Sequence, residues 1–369
     1  MARLSDWMDL GRNTISSITT NDVTGLYATE WPETKKMLIA DHRVAIEQQK
    51  GGIRRWLRTL SAIFYGLAKR LAPHRRMLFV ASQIAFFLCL FSIFTQMNEP
   101  PLWTFVEVTA TFLMMTVLLA MELIDKIKIR DELVLARDLQ ASLIPQHLPP
   151  TPEYELAAFH HIANTVGGDI YDFVPLEDGR LAVLFGDASG HGMAAGLVMA
   201  VAHAAFRTQL EVDPSPTAIT SSLNRILCRT GGPRSFFAFC YVLFSPDGDF
   251  VATVAGHPQI LKLDRMGKVV ERIGRGAYPL GVKASMWWEE ARGHLDPGQS
   301  LLLHSDGLTE ARDAAENDFG DVRVEAIAGW HEDAPPQAVV ENLVTEWQLF
   351  MQGRPPDDDV TIAAIRRRS

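Results

Sequence analysis

Residues 181–200 have the sequence LAVLFGDASGHGMAAGLVMA, which combines an apolar strand, an acidic turn and the start of a helix. The apolar run ends at Asp187, and glycines at positions 186, 190 and 192 allow tight turns and a close approach of the backbone to a ligand. A carboxylate at the end of a buried strand is costly to desolvate unless it is paired with a cation or strongly hydrogen-bonded. The stretch therefore predicts a strand–turn–helix unit that presents a carboxylate at its turn.

Other acidic residues occupy the same kind of position. Asp169 follows Val-Gly-Gly, Asp306 closes SLLLHSD, and the triplet at 357–359 precedes the strand-like run VTIAAI. No Lys or Arg adjoins any of them. Oxygen ligands without His or Cys favour Mg²⁺ or Mn²⁺ over zinc or copper. A single Gly-Asp pair is usually only a turn, so the prediction of a metal site depends on the combination.

The C-terminal part of the chain has short strand-like runs and clustered helices. Because turns such as Pro-Asp-Gly at 246–248 separate the runs, they predict antiparallel pairing in a layered α+β domain. The predicted strands are 156–162, 170–175, 181–185, 236–244, 250–255, 301–304 and 360–365, and the predicted helices are 193–210, 216–229 and 336–351.

Eight motifs spread over residues 137–366 resemble the PPM superfamily of metal-dependent serine/threonine phosphatases, specifically its bacterial SpoIIE/RsbU-type branch. They are ARDLQASLIPQHLP, VGGDIYDF, FGDASGHGMAAGLVMA, FAFCYVLF, VAGHPQ, YPLGV, LLLHSDGLTEARD and DDDVTIAAI. The resemblance implies an αββα sandwich, with two antiparallel sheets between helical layers and a dinuclear Mn²⁺/Mg²⁺ centre at one edge.

The resemblance also assigns site residues. It implies that Asp169, Asp187 and Asp306 bind metal, with Asp187 as the bridging ligand, and that Asp169 and Asp187 are the catalytic pair. The backbone carbonyl of Ala188 is a further implied contact. The last ligand comes from the acidic triplet; the family's DD-aliphatic-Thr pattern points to Asp358, with Asp357 and Asp359 left open. Two such ions can activate water for direct attack on a phosphoryl group, without a phosphoenzyme.

Two histidines near these motifs are weaker candidates. His191 lies in the SGHG turn and is either a general acid or a structural turn residue, because its spacing from Asp187 is longer than in the eukaryotic D-G-H-G pattern. His257 in AGHP has a still weaker claim to a catalytic role. No arginine can be assigned as a phosphate clamp.

Charge and cysteine content exclude several functions. The net charge is -9, but residues 1–76 hold thirteen Lys/Arg against seven Asp/Glu, a balance of +6, which leaves -15 for the rest. The basic part suits an anionic membrane surface or nucleic acid, but the acidic remainder would repel phosphate polymers unless it carries metal, which disfavours nucleic acid as the main ligand. The 3 cysteines lack CxxC or Cys/His spacing, so neither a disulfide framework nor a zinc site is predicted, and a reducing compartment is favoured.

Two apolar runs, 78–95 and 102–121, have spanning length, about 27 to 30 Å as helices, and show no polar face. They predict a transmembrane hairpin over 77–121, although a buried hairpin of a soluble protein is an alternative. Basic residues flank the outer ends of both runs, and the connector at 96–101 has none. By the positive-inside rule we expect two inner-membrane spans with both ends cytoplasmic.

The flanking segments are also predicted to be helical. Residues 53–72 form an amphipathic pattern that suits either a helix on the inner leaflet or a helix packed on another domain. Residues 122–144 contain no Gly or Pro, and Leu123, Ile127 and Val134 are spaced for a short two-stranded coiled coil or for a solvated spacer. The predicted organisation is a basic region at 1–76, the hairpin, a linker helix at 122–147 and a phosphatase domain at 148–369.

The predicted function is a membrane-anchored protein serine/threonine phosphatase that forms a homodimer. Its predicted substrate is a phosphoprotein, and the resemblance favours an anti-anti-sigma-type (STAS) regulator. Two alternatives remain, a catalytically silent signalling scaffold and a small-molecule phosphomonoesterase. The presence of all four acidic positions argues against the scaffold.

Overall fold

The computed structural model describes residues 52–95, 102–190, 192–230, 235–274, 276–330 and 332–368. The chain divides into two compact units, Met1–Ile127 and Lys128–Ser369. Predictions about residues 1–51 and about the connector at 96–101 lie outside the described part.

The N-terminal unit is helical. Helix α1 spans Gly52–Arg70, α2 spans Pro73–Thr95, and α3 spans Leu102–Leu143. The guanidinium of Arg75 on α2 pairs with Glu122 at 3.2 Å and with Asp125 at 2.6 Å, which fixes the start of α2 beside α3.

Helix α3 is continuous for 42 residues and contains the predicted linker helix at 122–147 except for its last four residues, 144–147. Among the described residues, one helical segment, Phe105–Leu143, is long and apolar enough to cross a membrane, and none of its most apolar window is buried. The second apolar run therefore qualifies as a span by length and composition. The first run forms α2, but its role as a second span is not confirmed.

The second unit contains two five-stranded sheets. The first has the order β1-β10-β9-β6-β7 and the second has the order β2-β3-β4-β5-β8. All their strand pairs are antiparallel. The strands are β1 Tyr154–His161, β2 Asp169–Pro175, β3 Leu181–Ala188, β4 Phe237–Phe244, β5 Asp249–Ala255, β6 Ile260–Leu263, β7 Val269–Ile273, β8 Glu290–His294, β9 Ser300–His304 and β10 Val360–Arg367.

Helices cover the outer face of each sheet. Helices α4 (Met193–Val212) and α5 (Pro216–Thr230) pack on the second sheet, whereas α7 (Asp321–Ala328) and α8 (Pro336–Met351) pack on the first. A short helix, α6, spans Asp306–Thr309. Successive residues of β10 alternate between the two cores, because Ala363 and Ile365 join the core shared with the second sheet, and Ile362 and Ala364 join the core under α8. The mixed α/β fold with two sheets is therefore confirmed.

Three strands were missing from the sequence prediction. β6 has four residues, β7 has three exposed residues out of five, and β8 (EARGH) is partly exposed throughout. β7 and β8 lie at the edges of their sheets, where one side has no neighbouring strand and solvent replaces apolar packing. Such strands need no apolar run, so the hydrophobic pattern does not reveal them.

Candidate metal centre

The two predicted catalytic aspartates lie on neighbouring strands. Asp169 begins β2, Asp187 is the penultimate residue of β3, and the register pairs them directly. Directly opposed residues of antiparallel strands have Cβ atoms about 4.5–5.5 Å apart, so the two carboxyl groups lie side by side. The fold therefore brings two carboxylates from separate motifs into contact.

Glycines allow this close approach. A Cβ atom on Gly168 would lie 2.6 Å from the carbonyl oxygen of Ala188 and 2.7 Å from Oδ1 of Asp187. The amide of Ala188 donates to the carbonyl of Gly168 at 3.1 Å. The predicted backbone ligand, the Ala188 carbonyl, thus lies in the same small space as the Asp187 carboxylate.

Asp306 and Asp358 approach from the first sheet. Asp306 starts α6 directly after β9, and Asp358 lies two residues before β10, the neighbour of β9. The two loops are tightly packed, since a Cβ atom on Gly307 would lie 2.0 Å from the carbonyl oxygen of Asp359. The structure thus brings loops from both sheets to one edge of the domain.

Burial and the close packing of these carboxylates raise the pKa values of Asp169 and Asp187. Burial, followed by the charges of Asp306, Asp358 and Asp359, raises the pKa of Asp187 to about 8. Burial, followed by the charge of Asp187, raises the pKa of Asp169 well above its ordinary value. Within the described part of the chain, no Lys or Arg forms an ion pair with any of these carboxylates. Closely spaced carboxylates and a carbonyl form the donor set that a hard divalent cation prefers.

The residues present fit such a cation, but they do not form a closed ligand shell. Among the described residues, no group of three or more His, Cys, Asp or Glu side chains meets the geometry of a metal-binding cluster. The assignment of Asp169, Asp187, Ala188, Asp306 and Asp358 as metal ligands therefore stays a prediction.

The acidic triplet divides into different roles. Asp359 is buried, and its carboxylate accepts hydrogen bonds from the amides of Ala163 at 2.8 Å, Gly168 at 2.7 Å and Asp169 at 3.4 Å. Asp359 therefore holds the backbone around Gly168 in place, and we call these contacts the Asp359 clamp. Asp358 is exposed and accepts only the amide of Asp359, at 2.8 Å, among the described groups. Asp358 has the freer carboxylate, and this geometry favours it over Asp359 as a ligand.

Comparison with known proteins identifies the family. The family model described as "Stage II sporulation protein E (SpoIIE)" matches residues 177–368, more than half of the chain. The chain belongs to the SpoIIE family.

Individual relatives are distant. Phosphoserine phosphatase RsbU of Bacillus subtilis is 24% identical over 243 residues, which cover 65% of this chain and 71% of RsbU. The SiaA-PP2C domain of Pseudomonas aeruginosa matches with a TM-score of 0.58 and 22% identity, covering 66% of this chain and 98% of that domain. The phosphatase domain of SpoIIE with a fragment of its regulatory domain, from B. subtilis, matches with a TM-score of 0.51, 20% identity and coverage of 58% and 62%. These structures establish a PP2C-type fold for the second unit.

Of the two histidines predicted from the motifs of this SpoIIE-family chain, the structure describes His257. His191 lies outside the described residues. His257 is half-buried, contacts the ring of Phe185 edge-on, and donates from Nδ1 to the carbonyl of Pro258 at 3.0 Å if that nitrogen carries the proton. Burial lowers the pKa of His257 to about 4, so its ring is neutral at pH 7. The structure gives it no role in proton transfer.

Sequence reasoning missed several residues that hold the site together. Thr361 donates to Oδ2 of Asp169 at 2.5 Å, and the Ser305 hydroxyl accepts from the amide of Thr361 at 2.9 Å. Gln140 near the end of α3 makes two hydrogen bonds to Gly167, one in each direction. Thr361 and Gln140 both occur in the SpoIIE-type motifs quoted above, but only the folded contacts show what they bind.

Proposed function

We propose that this chain is a membrane-anchored, two-metal protein serine/threonine phosphatase that dephosphorylates a regulatory protein. Metal-dependent serine phosphatase activity is the activity of the family to which the chain belongs. The observation that carries the proposal is the direct pairing of Asp169 with Asp187 at the edge of the domain. The charges of Asp306 and Asp358 also raise the pKa of Asp187 there.

Asp169, Asp187, Asp306, Asp358 and the Ala188 carbonyl would hold two Mn²⁺ or Mg²⁺ ions. When bound, the ions would supply Lewis-acid activation of water and neutralise charge on the phosphoryl group. The protein's own contribution is to hold like-charged oxygens together, through the Asp359 clamp and through Thr361, which donates to Asp169 and whose amide donates to the Ser305 hydroxyl.

The proposed substrate is phosphoserine or phosphothreonine on a small regulator of the STAS type, the class of partner that the motif resemblance implies. Support comes from RsbU, a relative whose name records phosphoserine as its substrate. We favour a phosphoprotein over a small phosphomonoester because the motifs resemble those of the PPM-type protein phosphatases. The scaffold alternative is disfavoured because every predicted acidic position is present, and Asp169, Asp306 and Asp358 each lie close enough to Asp187 to influence its pKa.

The proposed location is the inner membrane, with two spans and a cytoplasmic catalytic domain. One apolar helical segment, Phe105–Leu143, supports a membrane association. We further propose a homodimer formed through the linker part of α3, where Leu123, Ile127 and Val134 are each about half exposed. The topology is tested with tags at both ends of the chain and an external protease. Protection of both tags, with cleavage only near 96–101, would support two spans, whereas cleavage near residue 369 would contradict them.

The test of activity uses the full-length protein in detergent with three substrates: a serine-phosphorylated protein, free phosphoserine and nitrophenyl phosphate. We expect phosphate release from the phosphoprotein to depend on Mn²⁺ or Mg²⁺, to stop with EDTA and to leave no acid-stable phosphoenzyme. Faster turnover of free phosphoserine than of the phosphoprotein would favour the phosphomonoesterase. No turnover of any substrate with either metal would favour the scaffold.

A further inference from the structure

A chain of three side chains links the two sheets at the candidate metal centre. His160 on β1 and Thr361 on β10 are directly paired in the first sheet, and His160 Nδ1 lies 2.9 Å from Oγ1 of Thr361. The same Oγ1 lies 2.5 Å from Oδ2 of Asp169 on β2 of the second sheet. Thr361 and Asp169 are buried, so solvent does not compete for these contacts. A series of hydrogen bonds therefore runs from His160 through the Thr361 hydroxyl to Asp169, a candidate metal ligand.

Counting protons fixes the direction of both hydrogen bonds. A threonine hydroxyl has one proton to donate and lone pairs with which to accept. Asp169 must be ionised to bind a cation, and an ionised carboxylate can only accept, so in the metal-binding form the proton of Thr361 points toward it. The hydroxyl oxygen must then accept from His160, which requires the proton of the neutral imidazole to be on Nδ1.

The surroundings of the imidazole agree with this tautomer. Nε2 of His160 is buried and has no hydrogen-bond partner among the described residues, as expected for a nitrogen without a proton to donate. Burial lowers the pKa of His160 to about 4, which keeps the ring neutral near pH 7. The ring of Tyr171 contacts it edge-on, with centroids 6.3 Å apart, and limits its rotation.

We infer that His160 and Thr361 are positioning residues for Asp169, in which the His160 Nδ1–H orients the Thr361 hydroxyl as a donor to the carboxylate. This rests on the proposed function, because it treats Asp169 as a metal ligand. A short hydrogen bond to a charged oxygen is stronger than a neutral one, and a donor fixed behind a ligand sets its orientation. His160 touches neither substrate nor metal in this scheme and acts only through Thr361.

The first experiment measures Mn²⁺ affinity by calorimetry on the full-length protein, without substrate. Thr361→Val removes the hydroxyl at nearly constant shape, and Thr361→Ser is the matched control that keeps it. Loss of a partner behind a ligand typically costs 10–100-fold in metal affinity, so we expect about that loss for Thr361→Val and less than about threefold for Thr361→Ser. Circular dichroism checks that each variant is folded.

The role of His160 is tested by a double-mutant cycle. His160→Phe keeps an aromatic ring against Tyr171 but removes the Nδ1–H. We expect it to weaken Mn²⁺ binding several-fold in the wild-type background and to have no further effect in Thr361→Val, because the two residues act in series. An equal loss in both backgrounds would overturn the series arrangement, as would unchanged Mn²⁺ affinity in folded Thr361→Val.

A second measurement needs no variant and no metal titration. Nitrogen NMR of ¹⁵N-histidine-labelled protein saturated with Mg²⁺ should show His160 as the neutral Nδ1–H tautomer near pH 7, and an Nε2–H tautomer in the Mg²⁺-bound protein would overturn the inference even if Thr361→Val failed to fold. If the wild-type protein bound no Mn²⁺ or Mg²⁺, the metal-dependent function and the metal-positioning role would both fail. Equal affinity in wild type and Thr361→Val would overturn the positioning role alone.

Discussion

Gln140 and Gly167 form a reciprocal pair of hydrogen bonds, in which the Gln140 amide donates to the Gly167 carbonyl and accepts from the Gly167 amide, both at 2.9 Å. Gln140 is buried near the C-terminal end of α3, and Gly167 precedes the Gly168–Asp169 step of the candidate metal centre. A Cβ atom on Gly167 would lie 2.1 Å from Oδ2 of Asp359, so the loop has little freedom to move independently. The linker helix thus holds the loop that carries Asp169.

Gln140→Leu should therefore weaken the metal centre without touching a predicted ligand. The substitution leaves two buried backbone groups of Gly167 unpaired, at a cost of about 1–3 kcal/mol for each group. We expect lower stability in urea and a several-fold lower Mn²⁺ affinity. Gln209→Leu on α4, whose amide reaches only an exposed backbone carbonyl, serves as the control and should match the wild type. Wild-type metal affinity in Gln140→Leu would show that the loop does not depend on the helix.

Asp187→Asn should abolish turnover and leave the fold intact. The side chain lies among Asp169, Asp306 and Asp358, and replacing it removes a charge that these neighbours repel. We expect less than about a tenth of the wild-type rate and equal or higher stability of the metal-free protein. Asp178→Asn, in the exposed turn of the same β2–β3 hairpin, is the matched control. Retention of more than about a tenth of the rate would exclude a bridging role for Asp187.

The metal-free protein should lose stability as the pH rises. Asp187 has a folded-state pKa of about 8, above the ordinary 3.8, so the folded state binds more protons than the unfolded chain between these values. The free energy of unfolding therefore falls with pH; the contribution is fully present below about pH 4 and is lost as the pH rises through about 8. Urea unfolding at pH 6 and pH 9 in EDTA measures this.

Mn²⁺ should reverse this trend, because the carboxylates must release their protons to bind it, and its stabilising effect should be larger at pH 8 than at pH 6. Asp187→Asn should show a smaller pH dependence without metal. A metal-free wild-type protein that became more stable between pH 6 and pH 9 would contradict the assigned pKa direction.

Two glycines inserted after Asp131 should change regulation while every predicted ligand stays in place. The insertion interrupts α3 between its apolar first half and Gln140, and glycine is about 1 kcal/mol less favourable than alanine in a helix. We expect phosphoprotein turnover in membranes to change several-fold and the dimer to weaken. Insertion of two alanines at the same site is the control, because it shifts the phase of the helix by the same two residues but keeps the helix rigid. If turnover and dimerisation were unchanged with both insertions, this part of α3 would act only as a spacer.

The elements that sequence predicted well are those with a continuous apolar pattern. Helix α8 was predicted at 336–351 and spans Pro336–Met351, and β3 and β10 begin at the predicted residues. Edge strands β7 and β8 were missed because exposed, charged residues form much of them. The motifs identified the candidate aspartates, but one sequence does not show which residues each aspartate contacts. Asp359 and Gly168 are 191 positions apart, and only the folded register brings them together.

The position of β10 has a consequence for synthesis. This strand lies between β1 and β9 in the first sheet, although it is made after all the other described strands. Asp358, Asp359 and Thr361 come with it, so the loop around Gly168 lacks its clamp until residues 358–367 have left the ribosome. Contacts between such distant segments form slowly, because a long loop must close first. A nascent chain therefore carries the helices of the N-terminal unit before it can bind metal or act on any phosphoprotein.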